Sequence, residues 1–208
     1  MEGYKMEKIR FLGDIHGDLN SWKTLIQDCD KSIQVGDFGA GFVPVPGPEE
    51  ISLNHKFIRG NHDAPYACKN SPRWIADGTF DPTHRMFFMG GAFSIDYMYR
   101  KSGISWWEDE ELSSRELYDM VDKYMECSPE IMVTHDCPSE VSQQLFSKNV
   151  GKMVSTRTGM ALQAMFENHK PRLWIFGHYH IHRNEVINNT RFICCDINQA
   201  IDIDLPTY

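Results

Sequence analysis

Short apolar runs alternate along the 208 residues with glycine-flanked polar clusters, and the spacing within each run predicts its element. Residues 8–12 read as a strand that leads into Gly13-Asp14-Ile15-His16-Gly17, and residues 19–29 then carry Trp22, Leu25 and Ile26 on one helical stripe. Residues 32–35 read as a second strand ending at Gly36-Asp37, and 56–58 as a third ending at Gly60-Asn61-His62-Asp63. The Gly- and Pro-rich stretch 39–48 predicts an irregular surface loop with a mobile tip instead of a crossover helix. Residues 85–96 hold two apolar runs, MFFM and AFSI, split by Gly90-Gly91, which predicts a hairpin or kinked strand pair entering a second sheet.

A helix is expected over 108–126, opened by an acidic turn, with Leu112, Leu117, Met120, Val121 and Tyr124 inward. A strand at 131–133 runs into Thr134-His135. The next helix, 155–169, turns Met160, Leu162, Met165 and Phe166 mostly inward and stops before Pro171. A strand at 173–176 then leads into Gly177-His178-Tyr179-His180. Residues 185–187 and 191–195 read as a hairpin around Asn188-Asn189, and 200–205 as a last strand. Strands alternating with helices early and hairpins late predict a mixed α/β sandwich whose chemistry sits on loops at one sheet edge.

The length suits one domain over residues 1–208. The net charge of −8 and the dispersed Lys and Arg disfavour long nucleic acid as a partner. Two divalent ions would add about four positive charges at one spot, so an acidic surface still admits a small anionic substrate. The charged start has no apolar h-region and the longest apolar stretch, 86–95, is too short to span a bilayer, so a cytoplasmic protein without a membrane partner is expected. The six cysteines form no C-x-x-C pair and read as reduced thiols; Cys194 and Cys195, adjacent in a strand, should point to opposite faces.

The polar clusters share one chemistry. Hydrolysis of a phosphoester needs a nucleophilic hydroxide at neutral pH and positive charge on the non-bridging oxygens, and two divalent ions about 3.5–4 Å apart supply both. Asp14 and His16, two apart at an extended strand end, can share one ion. Asp37 offers two oxygens and suits the bridge between ions. Asn61 offers a neutral carbonyl oxygen, His135 and His178 complete the second ion's set, and His180 returns to the first. Any one of these residues alone is more often a turn former, a cap or an ordinary histidine. Five motifs in one order, each after an apolar strand, carry the reading together.

With D-x-H, G-D, G-N-H-[DE], a histidine after a strand and G-H-x-H all present from Asp14 to His180, the chain resembles the calcineurin-like metallophosphoesterase superfamily. GGAFSID and SWWEDEELS further resemble segments of its small bacterial and bacteriophage members. The resemblance implies a double β-sheet sandwich flanked by helices and a dinuclear centre, with manganese the first expectation and iron, zinc or nickel the alternatives. It also implies that His62 is the catalytic histidine outside the ligand set, protonating the departing oxygen or binding the phosphate, a role suited to imidazole. Asp63 is then a candidate to orient His62 or to pin the loop, with a plain turn residue as the equal alternative.

The expected substrate is a small or nucleotide-type phosphoester. A phosphoprotein is the alternative, disfavoured because GDFGAGF lacks the arginine of G-D-x-x-D-R-G and because GHYH carries a second histidine. A metal-binding scaffold without activity is a further alternative, which His62 opposes. Arg59 and Arg100 are the first candidates for phosphate binding, with Arg73 and Arg157 behind them. Tyr97, Tyr99, Trp106 and Trp107 are candidates to stack a base, against the plainer reading that they cap the core.

Overall fold

The computed structural model describes residues 5–150 and 154–208, apart from the side chains of 148–150; the first four residues of the charged start lie outside that description. Three strands, β1 (Lys5–Leu12), β2 (Ser32–Gln34) and β3 (His55–Phe57), run parallel, and β10 (Ala200–Thr207) pairs antiparallel along the other edge of β1. The second sheet has the order β4 (Thr79–Asp81), β5 (Met86–Met89), β6 (Ile131–Thr134), β7 (Leu173–Phe176), β9 (Thr190–Cys194) and β8 (Arg183–Ile187). Its four central strands are parallel, and β4 and β8 close the edges antiparallel.

Side-chain alternation builds three layers of core. Ile9 and Phe11 of β1 face Met86, Phe88, Ile131, Val133, Ile175 and Ile193 between the sheets. The alternate residues Phe87, Met132, Trp174, Phe176 and Phe192 pack against Leu117 and Tyr124 of helix α3 (Ser114–Cys127) and Leu162, Met165 and Phe166 of α5 (Arg157–Asn168). Leu12 and Phe57 meet Trp22 and Ile26 of α1 (Leu19–Ile26) outside the first sheet. With both faces of the second sheet covered at its centre, β5, β6 and β7 are buried throughout, which is why MFFM, IMVT and LWIF show little period-2 pattern. Cys194 belongs to the helix-side core and Cys195 to the inter-sheet core, on opposite faces as a strand requires.

Several elements differ from the sequence reading. The helix expected from residue 108 begins only at Ser114, because Ser113 caps it: the hydroxyl accepts from Glu116 N while the Glu116 side chain accepts from Ser113 N. Glu110 and Glu111 are buried acceptors in the preceding loop, not an acidic first turn. In 85–96 only MFFM is a strand, paired with the unanticipated β4, and AFSI is loop. Met160 faces solvent at 52% exposure, since α5 starts at Arg157 under a Thr156 cap and turns Leu162 and Met165 inward. Helices α2 (Pro65–Lys69) and α4 (Ser139–Val150) were unanticipated, the first a single turn and the second nearly even in polarity along its length. Residues 39–48 hold neither helix nor strand, and Asn188 and Asn189 both take the positive φ of a tight hairpin turn.

Ser113→Ala should remove the capping box and lower unfolding stability by about 1 kcal/mol in a denaturant titration, with an unchanged slope. Wild-type stability in that variant would show that α3 is held by its packing alone.

Candidate metal centre

Every parallel strand of both sheets ends on the same side, and the loops leaving β1, β2, β3, β6 and β7 carry the five motifs to one place. Asp14, His16, Asp37 and His180 each offer a ligand atom within 4.8 Å of the others. Asp14 is fully buried and Asp37 only 1% exposed, whereas His16 and His180 stand at the surface. Asp14 Oδ2 lies 3.0 Å from His180 Nε2, and Asp37 Oδ2 3.8 Å from His16 Nδ1. Next to this group, Asn61 Oδ1 is 3.0 Å from both His135 Nε2 and His178 Nδ1, and His135 Nε2 is 3.4 Å from Asp37 Oδ1.

The backbone here differs from an extended strand end. His16, Asp37, His178 and His180 all have positive φ, a conformation that costs free energy outside glycine and collects at functional sites. Asp14 and His16 are thus brought together by a turn, tied by His16 N to Asp37 O at 2.9 Å, and not by strand pleating. The motif glycines have a steric reason. A Cβ at Gly36 would stand 2.2 Å from His135 Nδ1, and one at Gly60 would stand 2.0 Å from Asp37 Oδ1.

The donors fit divalent cations. His16 Nε2 and His180 Nε2 face each other at 3.0 Å, a contact two imidazoles keep only with a proton or a cation between them. His135 Nδ1 donates to Val35 O at 2.8 Å, so in the neutral ring Nε2 is a lone pair, and it points at the carbonyl oxygen of Asn61. Burial raises the Asp37 carboxyl, but the charges of His135, His62 and His16 outweigh it and hold Asp37 well below the usual carboxylate range. Burial lowers His135, and the Asp37 charge overrides it and raises the imidazole. A cation in place of the His135 proton would answer the same two acceptors.

His62 is fixed by its own N–H, which donates to Asp37 Oδ1 at 2.7 Å. The Arg100 guanidinium lies along its imidazole, Nη1 3.0 Å from Nδ1 and Nη2 2.6 Å from Nε2, and is steered by Asp96 Oδ1 at 2.7 Å from Nε. Burial, with the Arg100 charge adding to it against that of Asp37, pushes His62 down to about 4. Both side chains line a cleft of about 410 Å³ with Asp37, Asn61, His178 and His180.

Of the expected site residues, Arg59 points elsewhere and Asp63 takes the second of its two expected roles, pinning the loop. Arg59, 3% exposed, donates through Nε to Asp77 at 2.8 Å and through Nη1 to the carbonyls of Asp109 and Glu110, so it is a buried tie and does not line the cleft. Asp63 does not orient the His62 imidazole; its oxygens accept from Phe38, Gly39, Ala40 and Gly60 N–H groups and pin the two loops together. Burial and the Asp37 charge push Asp63 up to about 6, against those backbone bonds. Arg73, also buried, clamps backbone carbonyls of Pro46, Gly47, Ser52 and His55, and Arg157 pairs with Glu111. None of the four aromatic candidates lines the cleft: Trp107 packs on Phe42, Tyr97 leans on Trp106, and Tyr99 is exposed. Asp136 escaped notice in the sequence although it follows His135; it accepts from Tyr179 Oη at 2.6 Å and so joins the His135 loop to the GHYH loop.

A two-sheet sandwich with a cation-fitting cluster on its strand ends places the chain among the metal-dependent phosphoester hydrolases. Comparison names the family: the calcineurin-like phosphoesterase family model matches residues 7–182, and the chain belongs to that family. No curated protein matches it at a significant level. Among solved structures, it is similar to the anchor in the inner membrane complex of Plasmodium, at 14% identity and a TM-score of 0.54, over 93% of this chain and 72% of that one. It is also similar to a Staphylococcus aureus protein assigned as a 5′-nucleotidase, at 13% identity and a TM-score of 0.53, over 97% of this chain and 53% of that one. The chain thus spans about half the length of the staphylococcal protein, and at these identities both likenesses concern the fold alone. Among the described residues no helix is long and apolar enough to cross a membrane.

Proposed function

We propose that this protein hydrolyses a small or nucleotide-type phosphoester with two divalent ions. Asp14, His16, Asp37 and His180 would hold one, and Asp37, Asn61, His135 and His178 the other, with Asp37 shared. The observation that carries this reading is the convergence of the Asp14, His16, Asp37 and His180 ligand atoms within 4.8 Å, beside a cleft that contains His62 and Arg100. The oxygen- and imidazole-rich set suits manganese first, with iron, zinc or nickel as alternatives. Bound ions of this kind supply charge to phosphoryl oxygens and acidify water at neutral pH.

The chain's own groups supply the rest. The Arg100 guanidinium meets non-bridging oxygens of the phosphoryl group, as its planar donors favour. An anionic group there works against the burial and positive charge that hold His62 low and favours the imidazolium, which takes its proton from water and gives it to the departing oxygen. A cleft of about 410 Å³ suits a small molecule better than a folded phosphoprotein. Six free cysteines, four of them buried, suit the reducing cytoplasm in which we place the protein.

The test is an assay in Mn²⁺ that compares a chromogenic phosphomonoester, a phosphodiester, 2′,3′-cyclic nucleotides and a phosphopeptide. Turnover of at least one small ester, abolished by chelation and restored by Mn²⁺, is expected. Preference for the phosphopeptide would favour a phosphoprotein phosphatase, and silence on every substrate would favour a binding scaffold.

A further inference from the structure

Two stretches of the sequence, GGAFSID and SWWEDEELS, supply none of the ligands above, yet the fold joins them directly behind Asn61. Asn61 Nδ2 donates to Ser94 Oγ at 3.0 Å. Ser94 in turn donates through Oγ to Glu110 Oε2 and through its backbone N–H to Glu110 Oε1, each at 2.7 Å. Asn61, Ser94 and Glu110 are each only 2% exposed. Arg59 steadies this arrangement by donating to Glu110 O at 2.8 Å, and a Cβ at Gly91 would stand 2.4 Å from the same oxygen, so the two loops pack as closely as glycine allows.

The two ends of an asparagine amide are alike in shape, so the hydrogen bonds around it select its orientation. A serine hydroxyl has one proton. Burial raises the Glu110 carboxyl, while the two bonds from Ser94 favour its ionised form; ionised, it can only accept, takes that proton, and leaves Ser94 Oγ with lone pairs alone to offer Asn61. Only the NH₂ end of Asn61 can face Ser94, and the carbonyl end is left toward His135 Nε2 and His178 Nδ1. We propose that Ser94 and Glu110 are positioning residues that lock the Asn61 amide with Oδ1 toward the cation site. They act only through Asn61. The inference rests on the two-ion reading above and names what builds its second site.

The test is calorimetric titration of the metal-free protein with Mn²⁺, read together with the electron paramagnetic resonance signal of an exchange-coupled ion pair. Wild-type protein should bind two ions and show that signal. Ser94→Ala should bind the first ion normally and the second about 10- to 100-fold more weakly, the usual cost of losing a partner behind a ligand, and should lose the coupled signal at matched metal. In an Asn61→Asp background a carboxylate offers an oxygen whichever way it turns, so adding Ser94→Ala should change the second affinity by no more than about twofold. General loosening of the loop would instead weaken both backgrounds alike. Should Ser94→Ala not fold, Glu110→Gln keeps the shape, lets the side-chain amide donate to Ser94 Oγ, and carries the same expectation. One ion in the wild type overturns the two-ion reading and this inference with it. Two ions in the wild type, with an undiminished second affinity in the variants or equal losses in both backgrounds, overturns this inference alone.

Discussion

Asp37→Ala is expected to strip both ions from the protein and to abolish turnover. Asp37 has two oxygens facing different partners: Oδ1 lies 3.4 Å from His135 Nε2, and Oδ2 lies 3.8 Å from His16 Nδ1. Removing a side chain 1% exposed and placed between both halves of the cluster leaves the first half with Asp14 as its one carboxylate and the second with none. Losing a partner behind a ligand already costs about 10- to 100-fold in affinity, so loss of a shared ligand should exceed about 100-fold for each ion. Metal analysis after gel filtration, with circular dichroism as the check on folding, measures this. Asp37→Asn, which keeps the shape and an acceptor for His62 N, is the companion variant should the alanine protein not fold. A full metal complement in either variant at wild-type affinity would rule out a shared Asp37.

His62→Ala should do the opposite, keeping both ions while turnover falls by roughly 10²- to 10⁴-fold, the usual worth of a positioned acid or base. Its imidazole is outside the ligand-atom group, and the contact with Asp37 runs through the backbone N–H, which alanine retains. The loss should be larger for esters with poor leaving groups, because those depend most on a proton at the departing oxygen. Arg100 loses its imidazole neighbour but keeps Asp96, so phosphate binding should suffer less than turnover. A metal-replete variant with full activity would sink the proposed role.

These two outcomes separate residues that the sequence already sorted into different roles. D-x-H, G-D, G-N-H-D, T-H and G-H-x-H were legible because each follows an apolar strand, and parallel strands place their following loops on one side. Elements with a strong period or a clear punctuator were also legible, such as α1 from its Trp22 and Ile26 stripe, although it ends at Ile26 and not at residue 29, and the hairpin around Asn188-Asn189. The weak points were those where the local pattern competes with distant partners. SWWEDEELS looks like an acidic helix start until Glu110 is seen to accept from Ser94 and Glu111 from Thr158, which holds that stretch as loop. Arg59 sits two residues from Asn61, close enough in sequence to suggest a phosphate clamp. Its guanidinium is instead committed to Asp77 and to two carbonyls some 50 residues away in sequence.

The sequence by itself determined the kinds of atom available and the order in which they arrive: carboxylates, imidazoles and one amide, each delivered by a strand into a turn, glycine-bearing in every case but that of Thr134-His135. These are local properties, set by residue type and by steric limits on the chain. Only the tertiary structure decided which arginine reaches His62, which nitrogen of His135 faces the site, and which end of Asn61 does so. Each of those depends on a hydrogen-bond partner from a distant segment: Asp96 for Arg100, Val35 for His135, and Ser94 with Glu110 for Asn61. A single proton on a buried serine has no signature in a run of residues, and it acquires its direction only when the two loops meet.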